Sequence, residues 1–124
     1  MPRSMLTLLL ASALLAGPLL AGSALAAPDL APAFKGTIVS TYPSGRSARL
    51  FLNRDGTYTG IGAKGAHYAG TWKLKGEKVC LKQTKPTPSM FTFCQSIPNV
   101  GPGGTWASRS PKGEPLKNRL EPSR

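Results

Sequence analysis

What this chain lacks narrows its chemistry before any fold is considered. In 124 residues there is one histidine, His67, two cysteines, Cys80 and Cys94, and five acidic side chains. The acids are Asp29, Asp55, Glu77, Glu114 and Glu121, scattered along the chain. General acid–base hydrolysis needs two such groups flanking one bond, and this spacing offers no pair. A structural zinc takes four nitrogen or sulfur ligands and calcium six or more oxygens, which one histidine and isolated acids do not supply. Serines are plentiful, yet none sits in a G-x-S-x-G elbow or an S-x-x-K motif. The expectation is a protein that is not an enzyme and that uses no cofactor and no metal.

Long apolar runs are also missing beyond the start of the chain. Met5–Leu15 is an apolar run of Leu and Ala behind Arg3, broken by Gly17-Pro18 and followed by Ala24-Leu25-Ala26. A charged start, a short apolar stretch and small residues at alternate positions form a secretory signal peptide, and the glycine–proline break stops the run short of a bilayer span. Residues 1–26 are therefore expected to be removed between Ala26 and Ala27, with the style of the segment pointing to export to a bacterial periplasm or beyond. No second apolar stretch follows, so no transmembrane segment is expected in the mature chain. In an exported domain of this size two cysteines are expected to pair, as a Cys80–Cys94 disulfide.

Turn signals recur every eight to twelve residues, with alternating apolar and polar positions between them, the pattern of an all-β antiparallel fold. Pro43-Ser44-Gly45, Arg54-Asp55-Gly56, Pro111-Lys112-Gly113 and the weaker Ala63-Lys64-Gly65 read as three-residue hairpin loops closed by a left-handed glycine; Gly76-Glu77 reads as a two-residue loop. These loops predict a register: Ile38 opposite Leu50, Leu52 opposite Tyr58, Gly60 opposite Tyr68 and Tyr58 opposite Gly70. Even-numbered residues then face inward as far as Leu74. The two-residue loop flips the parity, placing Leu74 opposite Val79 and Trp72 opposite Leu81; pairing Cys80 with Cys94 then places Leu81 opposite Phe93 and Gln83 opposite Phe91. A one-residue slip would expose the whole apolar set, so the agreement is informative. The expected architecture is an up-and-down meander of about eight strands, a small barrel or a strongly curved sheet. Ala27–Ala33 is expected as an extended leader, 34–124 as one small β domain, and the hairpin from about 104 as its loosest part, with Trp106, Leu116 and Leu120 inward.

Charge is the feature left over. Without Arg3 the chain carries fifteen Lys and Arg against five acids, a formal +10. The register places Arg49, Lys73, Lys75 and Lys82 on the outer face, with Lys78 and Lys85 at neighbouring turns, a candidate surface for lipid headgroups, acidic polysaccharide or an acidic protein. The plainer alternative is solubility and the protection of sheet edges by lysine. Nucleic acid is not expected, because aromatics are not interleaved with the lysines. A second candidate is interior: Tyr58, Tyr68, Trp72, Phe91, Phe93 and Trp106 either line a ligand cavity or fill a core.

Asp55-Gly56-Thr57-Tyr58-Thr59, Gly70-Thr71-Trp72, Lys78-Val79-Cys80-Leu81 and Cys94 together resemble a group of short exported bacterial β-proteins of unassigned activity. Ala69-Gly70-Thr71-Trp72-Lys73-Leu74 also resembles the A-G-x-W-x-L strand of periplasmic metalloprotease inhibitors, small eight-stranded barrels with one disulfide. That likeness implies that Ala27–Ala33 would enter a protease cleft. The motif lies mid-domain here, and the cysteine positions do not obviously correspond. Three functions follow as expectations: an envelope binding or structural module acting through its basic face, a small-ligand carrier, and a protease inhibitor.

Overall fold

The computed structural model describes residues 27–124; Met1–Ala26, the segment expected as a signal peptide, lies outside them. A short helix, α1 (Ala31–Lys35), precedes eight strands: β1 (Thr37–Thr41), β2 (Ser47–Leu52), β3 (Thr57–Ile61), β4 (His67–Lys75), β5 (Lys78–Lys85), β6 (Phe93–Ser96), β7 (Thr105–Arg109) and β8 (Pro115–Glu121). They form one antiparallel sheet in the order β6-β5-β4-β3-β2-β1-β8-β7, curled into a nearly closed barrel whose edges are β6 and β7.

The register follows from the turns. Tyr42 and Arg46, Asn53 and Thr57, Gly62 and Ala66, and Ser110 and Glu114 each close a hairpin by a backbone hydrogen bond. Gly45, Gly56, Gly65 and Gly113, the last residues of these loops, have φ near +86°, a conformation that only glycine adopts without strain. Ile38 pairs with Leu50, Leu52 with Tyr58, Gly60 with Tyr68 and Tyr58 with Gly70. Across the Gly76-Glu77 turn, Leu74 meets Val79 and Trp72 meets Leu81. Cys80 meets Cys94, and the two are joined in a disulfide.

Two expectations need correction, and one inward polar group needs an account. Gln83 does not pair with Phe91: β6 begins only at Phe93, so Gln83 keeps only its β4 partner Gly70, next to a β-bulge at Ala69–Gly70. The prolines at 86 and 88 cannot donate to a ladder, so the chain leaves the sheet there. The leader is not extended throughout. Pro32 starts a helical turn, the Asp29 carboxylate accepts from the Ala31 N–H at 3.0 Å, and Leu30 and Ala33 are buried. Finally, Asn118 points inward between Leu116 and Leu120 and is buried. Its side chain accepts from the Ser40 hydroxyl at 2.7 Å and donates to the Ser108 hydroxyl at 2.8 Å, which satisfies it.

In an up-and-down barrel, successive turns alternate between two ends. At one end α1 closes the barrel. Leu30, Ala33, Ile38, Leu52, Val79, Ile97 and Leu120 belong to one buried cluster there, with Phe34 and Trp72 packed against it. Burying a side chain such as Leu52 or Val79, both wholly enclosed, contributes about 1.5–3 kcal/mol. The carboxyl terminus locks this end. The Arg124 guanidinium donates to the Leu52 carbonyl, to Asn53 Oδ1 at 2.9 Å and to the Ala33 carbonyl at 3.5 Å. The Thr37 hydroxyl donates to the Ser123 carbonyl at 2.9 Å.

Candidate functional site

The other end is not filled. A cavity of about 460 Å³ opens between the Tyr42, Gly62, Ser89 and Pro111 regions and reaches down to Leu50, Tyr58 and Leu81. Its size falls in the range of small-molecule sites. Leu50, Leu81, Phe93 and Leu116 give it apolar walls, while Ser40, Tyr42, Gln83 and Gln95 bring polar groups to the same space.

Two tyrosines of its lining pack over bare backbone. Tyr58 and Tyr68 cross between strands, each ring occupying the place where a side chain at Gly70 or Gly60 would stand. The two rings meet edge to face with centroids 6.1 Å apart. Burial pushes the Tyr68 phenol up to about 12, and the nearby Tyr58 and Tyr42 phenols add to the rise. Tyr58 is raised by burial, and Tyr42 by burial and then by the Glu114 carboxylate. All three therefore stay neutral at physiological pH and offer hydroxyls rather than charge.

The six aromatics expected inside divide. Tyr58, Tyr68 and Phe93 border the cavity, and Tyr58 belongs to the buried core as well. Phe91 borders it from the β5–β6 connection, not from a strand, and is exposed. Trp72 is elsewhere. It stacks at 5.7 Å on Phe34 at the closed end and donates its indole N–H to the Asn53 carbonyl at 2.8 Å. Trp106 lies at the seam between β6 and β7, in a shallow recess shared with Pro28 and Pro98. Sequence reasoning missed Ser40, Gln95 and Asn118 as inward groups. Their strand parity marks them as inward, but polarity argued the other way.

Of the basic set, Lys73, Lys75, Lys78 and Lys82 share the outer face of β4 and β5 with the disulfide, while Lys85 ends β5 at the open end. Lys75 stands directly opposite Lys78, Lys73 opposite Cys80, and Lys82 opposite Thr71. Arg49 does not join them: it lies on β2, beyond β3, between Val39 and Ile61. Because the sheet edges are β6 and β7, these lysines do not guard an edge. Like charges placed opposite each other cost stability.

His67 is exposed and borders a broader depression on the outer face, with Phe51 and Ile61, of about 810 Å³. That depression is open along the sheet and lacks the opposing walls that would enclose a ligand. Among the described residues no three His, Cys, Asp or Glu side chains are grouped to hold a metal. No helix among them is long and apolar enough to cross a membrane. Compared with protein-family models, curated proteins and solved structures, the chain matches none.

Proposed function

We propose that this is an exported, non-enzymatic binding protein that carries a small, largely apolar ligand in the open half of its barrel. The cavity carries this reading: about 460 Å³, walled by Leu50, Leu81, Phe93 and Leu116, with neutral phenols and amides to orient a polar group. The disulfide supports an oxidising compartment, since such bonds persist outside the cytosol. Native mass spectrometry of the protein from an exporting host tests retention of cargo. Titration with an environment-sensitive apolar dye tests the site itself. Leu81→Trp, which fills the cavity from its wall, should abolish dye binding with the fold kept. Unchanged dye binding in that variant would sink the reading.

A second reading has one observation in its favour, the lysine face with Lys75 set against Lys78 on inner strands. It predicts salt-sensitive binding to an anionic polymer that a Lys73→Glu, Lys75→Glu, Lys78→Glu variant loses. The inhibitor reading has less support, because the segment it would use packs Leu30 and Ala33 into the barrel's own closed end.

A further inference from the structure

Charge is divided unequally between the two ends. The open-end connections are Tyr42–Arg46, Gly62–Ala66, residues 86–92 and Ser110–Glu114; in and beside them stand Arg46, Lys64, Lys85, Arg109 and Lys112, all exposed, against the single acid Glu114. The remaining acids, Asp29, Asp55, Glu77 and Glu121, belong to the closed end. The Arg109 guanidinium is held at the rim by donating to the Gly113 carbonyl at 2.9 Å.

The same rim bears an apolar tip. Met90 is 94% and Phe91 83% exposed; the one other large hydrophobic exposed among the described residues is Leu74, at 41%. The tip is a shaped turn. The Ser89 N–H donates to the Gln83 carbonyl at 2.9 Å, the Phe91 N–H donates to the Ser89 hydroxyl at 3.1 Å, and that hydroxyl donates to the Phe91 carbonyl at 3.1 Å. Two adjacent apolar side chains are thus presented to solvent at the end of the barrel that carries these five cations. An anionic bilayer satisfies both: apolar side chains enter the headgroup–acyl boundary, and each nearby cation gains attraction from acidic lipid.

We propose that the open end docks on an anionic lipid bilayer, with Met90 and Phe91 entering the interface and Arg46, Lys64, Lys85, Arg109 and Lys112 meeting lipid phosphates. Docking needs no cargo, so it stands whether or not the cavity holds a ligand. Its geometry would also bring the cavity mouth to the bilayer surface.

The test uses protein from an exporting host, its mass showing that residues 1–26 are absent, with vesicles of phosphatidylglycerol and phosphatidylcholine compared with phosphatidylcholine alone. Binding is expected to the anionic vesicles and to weaken as salt rises. Arg46→Glu, Lys64→Glu, Lys112→Glu should weaken it by roughly 100-fold, at about fivefold or more per charge. Met90→Ser, Phe91→Ser should also release the protein, while Lys73→Glu, Lys75→Glu, Lys78→Glu should keep most of the binding. Phe91→Trp places a reporter at the tip, whose emission should shift to the blue on vesicles and be quenched by bromine-labelled acyl chains. Circular dichroism checks the fold of each variant, and dye binding is measured separately, so loss of docking and loss of the cavity are distinguishable. The proposal is overturned by no binding to anionic vesicles, by binding to an acidic polysaccharide alone, or by loss that follows the lysine face and not the rim. An unshifted Phe91→Trp on bound vesicles overturns the insertion.

Discussion

Gly60 stands directly opposite Tyr68, and the Tyr68 ring fills the space that a β-carbon at position 60 would need. The relation repeats one step along: Tyr58 faces Gly70 and covers it. The two sites differ in what lies behind the ring. At Gly60 the nearest atoms a β-carbon would meet are side-chain atoms of Tyr68, whereas at Gly70 the nearest is the backbone carbonyl of Lys82, ahead of the Tyr58 ring.

That difference predicts unequal rescue. Gly60→Ala should cost about 1–3 kcal/mol by overpacking, and adding Tyr68→Ala should remove most of that increment. Gly70→Ala should cost at least as much, and Tyr58→Ala should not relieve it, because the carbonyl stays in place. Urea denaturation of the single and double variants reads both cycles. Equal rescue at the two sites would show that the rings alone control them.

The tyrosine cluster predicts how stability depends on alkaline pH. Tyr68 is protonated in the folded protein up to about 12, while in the unfolded chain it releases its proton near 10. Between those values the unfolded state binds fewer protons, so stability falls as pH rises. The contribution, on the order of 2–3 kcal/mol, is fully present below pH 10 and lost by about 12. Tyr58 and Tyr42 shift in the same direction and steepen the fall. Tyr68→Phe should flatten the slope in denaturation curves taken across that window; an unchanged slope would put the titration elsewhere.

Reduction of the disulfide should act on the cavity as well as on stability. β6 is a four-residue edge strand that pairs only with β5, and Cys94 sits within it. The cross-link over a separation of 14 residues contributes roughly 3 kcal/mol in the chain-entropy model. Cys80→Ala, Cys94→Ala should lower the denaturation midpoint accordingly and speed amide exchange in β6. Dye binding should weaken, since Phe93 and Gln95 form one cavity wall. Full dye affinity in the reduced protein would mean that β6 holds without its cross-link.

Arg124 ties α1 to the barrel through the carbonyls of Ala33 and Leu52. Arg124→Ala should destabilise by about 1–3 kcal/mol through loss of charge-assisted hydrogen bonds. Amide exchange should rise first at Phe34 and Gly36, whose N–H groups close the helical turn onto Leu30 and Ala33. Uniform exchange across the barrel would instead make Arg124 part of the global core.

Much of the fold was legible because hairpin turns act locally. A glycine at the left-handed position of each loop, with strict alternation between loops, leaves one register that buries the apolar set. Ile38 opposite Leu50 and Trp72 opposite Leu81 come from that rule, and Cys80 opposite Cys94 from the pairing of the two cysteines. It failed where the chain stops being a ladder: at Pro86 and Pro88, which release Phe91 from the strand, and at Pro32, which begins a helix where an extended leader was expected.

The hairpin order from β1 to β6, the inward faces of Tyr58 and Tyr68 and the place of the disulfide were thus determined by the sequence itself, since each depends on contacts between residues close along the chain. Which end of the barrel is plugged and which stays open was decided only in three dimensions. It depends on Leu30 and Ala33 packing with Leu52, on Arg124 reaching the Leu52 and Ala33 carbonyls from 72 and 91 residues away, and on β8 pairing with β1. No local period encodes such meetings, because their free energy comes from surfaces that exist only once the sheet has curled.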